Sequence, residues 1–179
     1  MKTFFSEKHK LRDANTELYG GELVKPFERP QRLDFIVDEI ETRGLGEILN
    51  PNKVNLNIIG KVHDQDYIKF LDNAWNEWTK EGFKGEAIPT VWPSRSMNSD
   101  KIPTFIEGKL GYYCLAGETS ISNGSIEAAY EAVKVVISAV DTLLNEKLSG
   151  IFALCRPPGH HASKNQYGGY CFFNNAAIA

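Results

Sequence analysis

Two adjacent histidines, His160 and His161, close the stretch Arg156-Pro157-Pro158-Gly159-His160-His161, and the chain then runs Tyr167-Gly168-Gly169-Tyr170-Cys171-Phe172-Phe173-Asn174-Asn175. Imidazole titrates near neutrality, so a small environmental shift makes one ring a general base and leaves its neighbour charged. Neighbours in an extended segment point to opposite sides, and two buried rings would each need hydrogen-bond partners. Taken alone, such a pair reads as two structural loop residues. Its frame reverses that reading. The prolines fix φ and disfavour helix before them, Gly159 permits an unusual backbone angle, and Gly168-Gly169 lets the chain return closely to the pair. A loop built that stiffly holds proton-handling groups in place.

The element that must position the pair is the run Gly150 to Cys155, apolar, partly β-branched or aromatic, and bounded by Gly and Pro, which predicts a buried strand. The histidines then lie at the C-terminal edge of a sheet, where ligands collect in open α/β folds. Before that strand, Ile126, Ala129, Val133, Val136, Ile137, Val140, Leu143 and Leu144 fall on one helical stripe opened by Asn123-Gly124-Ser125, with Glu131, Lys134, Asp141 and Lys147 assigned to the wet side. Helix followed by strand is the rhythm of a parallel sheet. After the histidines, Asn174 or Asn175 caps a further helix.

Nearer the N-terminus, Met1 to Ser6 predicts an edge or first strand, and residues 8–23 a loop turning at Tyr19-Gly20-Gly21, where Tyr19 either lines a site or anchors its own loop. A helix runs from Pro30 through Leu33, Ile36, Val37 and Ile40 to Gly44. Leu56 to Val62 reads as a strand, and His63-Asp64 opens a helix carrying Tyr67, Ile68, Leu71, Ala74, Trp75 and Trp78 on one face. His9 and His63 read as structural. Residues 81–111 hold no core periodicity, and Phe83 and Trp92 within them suggest an interface.

At 179 residues, with 42% hydrophobic and 24% charged residues, the chain suits one globular domain. A net charge of −3 gives no general attraction to nucleic acid or to an anionic membrane surface, and no apolar run approaches bilayer length. Cys114, Cys155 and Cys171 are odd in number and widely spaced, with no leader before them, which predicts a reducing cytoplasm.

At Arg-Pro-Pro-Gly-His-His and Gly-Tyr-Cys-Phe-Phe-Asn-Asn the chain closely resembles the histone deacetylase superfamily. Phe5 to Arg12, Thr16 to Leu23 and Ile106 to Cys114 are similar to the bacterial acetylpolyamine amidohydrolases in particular. The resemblance covers the entire chain. It lacks the superfamily's early His-Pro before Phe27-Glu28-Arg29-Pro30. It implies an α/β class, a three-layer parallel-sheet deacetylase/arginase-like fold of which residues 1–179 are the N-terminal part of a single catalytic domain, with an inserted loop at about 81–111. It implies a zinc-dependent amidohydrolase that removes acetyl groups from acetylated polyamines or related small cationic amides. His161 would be general base and then general acid, and His160 the neighbouring electrostatic imidazole. Tyr170 and Gly169 would line a narrow sleeve for a methylene chain, and Glu107 and Glu118 a mouth suited to an ammonium. The inserted loop would form a homodimer. The family's metal-binding Asp-x-His is absent from these residues, so the expectation is no metal ligand in this chain and no activity of the chain alone. Two other readings are a protein acetyl-lysine deacetylase and a non-catalytic binding or oligomerisation fragment.

Overall fold

In the computed structural model, which describes every residue from Met1 to Ala179, the elements follow in the order β1 (Thr3–Phe4), β2 (Glu17–Tyr19), β3 (Glu22–Val24), α1 (Gln31–Thr42), β4 (Ile48–Leu49), α2 (Gln65–Lys80), α3 (Ile106–Tyr113), α4 (Ser125–Asn145), β5 (Phe152–Ala153) and α5 (Asn175–Ile178). Short 3₁₀ turns occupy Glu7–Leu11 and Leu56–Lys61.

Side-chain alternation along the strands decides the layers. The sheet is parallel, in the order β4-β1-β5, so the first strand is central. Successive residues face opposite sides. Phe4, with Leu49 and Ala153, meets Val135 and Ala139 of α4. Phe5, with Ile48, Phe152 and Leu154, meets Leu33, Ile36 and Val37 of α1. One helix therefore covers each face, giving the three-layer parallel-sheet architecture that the sequence implies. Leu33 is wholly buried, a contribution of about 2 kcal/mol from apolar burial.

Helix α4 begins where expected, with Gly124 in the left-handed region at its N-cap and Ser125 as its first residue. It buries more than one stripe. While Val135 and Ala139 face the sheet, Ile126, Ala129 and Val133 join a second core with Tyr67, Phe70 and Leu71 of α2, Leu110 and Tyr113 of α3, and Tyr167, Phe172 and Phe173. Glu131 is therefore buried rather than wet: its carboxylate accepts from Lys134 Nζ at 2.5 Å, Ser6 Oγ at 3.3 Å and Lys8 Nζ at 3.4 Å. Leu144, placed on the apolar stripe, is exposed instead.

Three further elements differ from expectation. Leu56–Lys61 is a 3₁₀ turn capped by the Asn55 side chain, not a strand. An apolar run this short fits either state, and its tertiary position decided. The loop over residues 8–23 contains the antiparallel hairpin β2–β3, whose two-residue turn places Gly20 and Gly21 at φ 60° and 86°. The irregular segment ends at Phe105, because α3 starts at Ile106 despite Gly108 and Gly111. Gly111 is required there, since any side chain would strike the Val91 carbonyl. No helix is long and apolar enough to cross a membrane.

Candidate active site

Arg156 fixes the start of the histidine loop. It is buried, and its Nε donates to Glu28 Oε1 at 3.1 Å while Nη1 donates to the carbonyls of His9, at 2.7 Å, and Arg12. Burial pulls the guanidinium pKa down and Glu28 opposes that. A buried charge is tolerated only when paired and hydrogen-bonded in this way. The next peptide bond, Arg156–Pro157, is cis. The Pro157 carbonyl then accepts from Asn175 Nδ2 at 3.2 Å, which ties the loop to the first turn of α5.

From this anchorage His160 and His161 emerge as exposed residues with ring centroids 4.3 Å apart and planes tilted by 48°. The backbone N–H of His161 donates to Cys171 Sγ at 3.4 Å. Its ring lies directly on Gly169, where a built Cβ would overlap the imidazole. Gly169 also sits at φ 57°, a conformation that costs a side-chain-bearing residue energy. Only glycine meets both demands.

The Gly169 backbone is held in turn. Its N–H donates to Glu118 Oε1 at 2.6 Å, and the following N–H, of Tyr170, donates to Thr119 Oγ1 at 2.8 Å. Tyr170 has φ 65°, an uncommon conformation for a tyrosine. Its hydroxyl donates to Glu17 Oε1 at 3.2 Å, while Glu17 Oε2 accepts the Phe27 N–H at 3.1 Å. Burial, then Glu17, with smaller effects from Glu118 and Glu28, pushes the Tyr170 phenol up to about 12. The phenol is therefore neutral near neutral pH, its hydroxyl on the Glu17 carboxylate and the residue's backbone N–H on Thr119.

His161, Gly169, Tyr170 and Glu118 are thus brought together, with His160 beside them. Tyr19 and Glu107 stand differently. Tyr19 is exposed on the hairpin, its ring edge-on to Phe27 with centroids 5.3 Å apart. Glu107 is exposed on the first turn of α3, six residues and roughly 9 Å of helix rise from Tyr113, whose carbonyl accepts the Tyr167 N–H. Sequence reasoning missed Glu17 and Thr119, which hold Tyr170. Glu17 lies in the quoted Thr16 to Leu23 segment, but its partner is 153 positions away. His63 is buried, as its structural reading requires.

The arrangement offers accessible imidazoles, a neutral tyrosine and carboxylates, but no thiolate. Burial pushes the thiols of Cys114 and Cys155 up to about 12 and that of Cys171 upward too. A cavity of about 300 Å³ between α2 and α3 includes none of these groups. No cluster of three or more His, Cys, Asp or Glu side chains is arranged to hold a metal ion. Tetrahedral zinc takes three or four such donors, so these residues by themselves do not fit it.

The histone deacetylase domain model matches residues 26–179. The chain is 50% identical over its whole length to an acetylpolyamine amidohydrolase of Mycoplana ramosa and 40% identical to acetylpolyamine amidohydrolase 2 of Pseudomonas aeruginosa, covering 52% of each. The chain spans about half the length of the curated relatives it matches. A crystal structure of an acetylpolyamine aminohydrolase from Burkholderia pseudomallei superposes with a TM-score of 0.88 at 28% identity, over 99% of this chain and 51% of that one. The HDA15 HD domain, 21% identical with a TM-score of 0.67 over 99% and 40% of the two chains, shares the fold.

Proposed function

This chain belongs to the histone deacetylase domain family, and from that premise we propose that it carries the histidine half of an amidohydrolase acting on acetylated polyamines or related small cationic amides. The relatives named above are acetylpolyamine amidohydrolases. The observation that carries the reading is the seating of the His161 ring on Gly169, held by Glu118.

Amide hydrolysis needs a water relieved of a proton as it attacks and a proton returned to the departing amine. An exposed imidazole on a rigid seat suits both transfers, so His161 is assigned as base and then acid. His160, 4.3 Å away ring to ring, is assigned as the neighbouring electrostatic imidazole. The Tyr170 ring and Gly169 form the apolar wall for a methylene chain, the phenol being neutral because burial raises its pKa. Glu118 spends only Oε1 on Gly169 and Thr119, which leaves Oε2 for an ammonium. Glu107 and Tyr19 are assigned to the outer approach, and the 81–111 segment to a contact with a second subunit that narrows it.

The family is generally zinc-dependent. Zinc would supply an acidified water and a polarised carbonyl, but its ligands are not among these residues as they stand. The test is turnover of an N-acetylated diamine against an acetyl-lysine peptide in protein carrying these residues. Preference for the small amine supports the reading; equal or better use of the peptide replaces it with protein deacetylation.

A further inference from the structure

His63 contacts neither histidine of the pair, yet it bonds both arms of the loop that carries them. It is buried at the start of α2, its ring between Tyr67 and Phe173 with both centroids 5.5 Å away. Nε2 accepts the Asn174 N–H at 2.9 Å, and Nδ1 lies 3.3 Å from the Lys164 carbonyl. An N–H can be accepted only by an unprotonated nitrogen, and a carbonyl approached only by a protonated one. The two contacts together fix the neutral ring with its proton on Nδ1.

Both partners lead back to the site. Asn174 Nδ2 donates to the carbonyl of Ala162, the residue after His161, at 3.0 Å, and the Ala162 N–H donates to the Gly159 carbonyl at 3.2 Å. The Lys164 carbonyl also accepts the Asp64 N–H at 3.0 Å. Two hydrogen bonds thus separate His63 from the residue beside His161. Tyr67, in the first turn of α2, adds a bond from its hydroxyl to the Phe172 carbonyl at 2.6 Å.

We infer that His63, as the neutral Nδ1–H tautomer, is a positioning residue that pins the two arms of the 160–174 loop and thereby sets where the His161 ring stands. The importance of that ring rests on the hydrolytic reading above; the pin itself does not. A proton on Nε2 would set donor against donor at Asn174 and release that arm. The ionisable groups around the ring are Asp64, which favours protonation, Lys164, whose amine is held by Asp64 Oδ1 at 2.9 Å, and the Tyr67 phenol, which stays neutral; burial is the largest influence and lowers the pKa.

The test is nitrogen NMR of the imidazoles with amide hydrogen exchange, on the wild-type chain and on H63F and H63Q. The expected wild-type result is a protonated Nδ1 and an acceptor Nε2 on His63. H63F fills the space between Tyr67 and Phe173 but bonds to nothing. It should exchange the Asn174 and Ala162 amides at least about tenfold faster, with α4 amides unchanged. H63Q keeps an acceptor toward Asn174 and should restore most of that protection. A wild-type Nε2–H tautomer, or unchanged exchange in H63F, overturns the inference. Loosening in H63F alongside full turnover in a His161→Ala variant supports the pin and removes the hydrolytic reading alone.

Discussion

The Glu118 carboxylate accepts the backbone N–H of Gly169 at 2.6 Å, and the His161 ring rests on that same glycine. One acidic side chain therefore helps to seat the imidazole while keeping a second oxygen available. Under the proposed reading, that free oxygen is the one that meets the substrate's ammonium.

The two roles separate in Glu118→Gln, which keeps an acceptor for Gly169 but removes the charge. KM for an acetylated diamine is expected to rise about five- to tenfold, the size of one partly screened ion pair. KM for an uncharged acetamide of the same length should stay constant. Equal effects on both substrates would assign Glu118 to support alone.

Gly169→Ala adds a methyl at φ 57° where the His161 ring already lies. The backbone strain alone is about 1–2 kcal/mol, read as a lowered denaturation midpoint. Activity should fall further than stability does, because the ring must move.

His9 ties acid sensitivity to the same region. Its ring nitrogens are buried without partners, and burial, aided by Arg156, lowers its pKa from 6.5 to about 4. Below pH 6.5 the unfolded chain binds a proton that the folded one refuses until about pH 4, so stability falls with pH across that window, by up to about 3 kcal/mol. Denaturation of His9→Leu between pH 4 and 7 should show a flatter profile than wild type.

Glu131 acts in the same direction, at lower pH. Burial raises its pKa, but Lys134 and Lys8 outweigh burial and leave it below the ordinary 4.5. Its contribution is complete above that value and is lost as pH falls through the lowered one. Glu131→Ala should cost about 1–3 kcal/mol at pH 7 by leaving the buried Ser6 hydroxyl without its acceptor, measured by urea titration.

Much of this fold was legible in the sequence because helical spacing is a local property. Leu33 and Ile40 of α1, Tyr67, Leu71 and Ala74 of α2 and Ile126, Ala129 and Val133 of α4 are buried as their periodicity requires. Local signals failed where distant partners decide. Glu131 looked solvated because Ser6 and Lys8 reach it from more than 120 positions away. Leu56 to Val62 lacked the length to distinguish strand from turn. The histidines and Gly169 were visible as a motif, whereas Glu118's bond to a backbone N–H was not, since main-chain donors leave no trace in residue identity.

The central claim is that His161 carries the proton in amide hydrolysis, and the most direct measurement is single-turnover deacetylation of an N-acetylated diamine by His161→Ala in the active protein. A loss of about 10²–10⁴-fold in rate with little change in substrate binding is predicted. A rate within a few-fold of wild type contradicts the account.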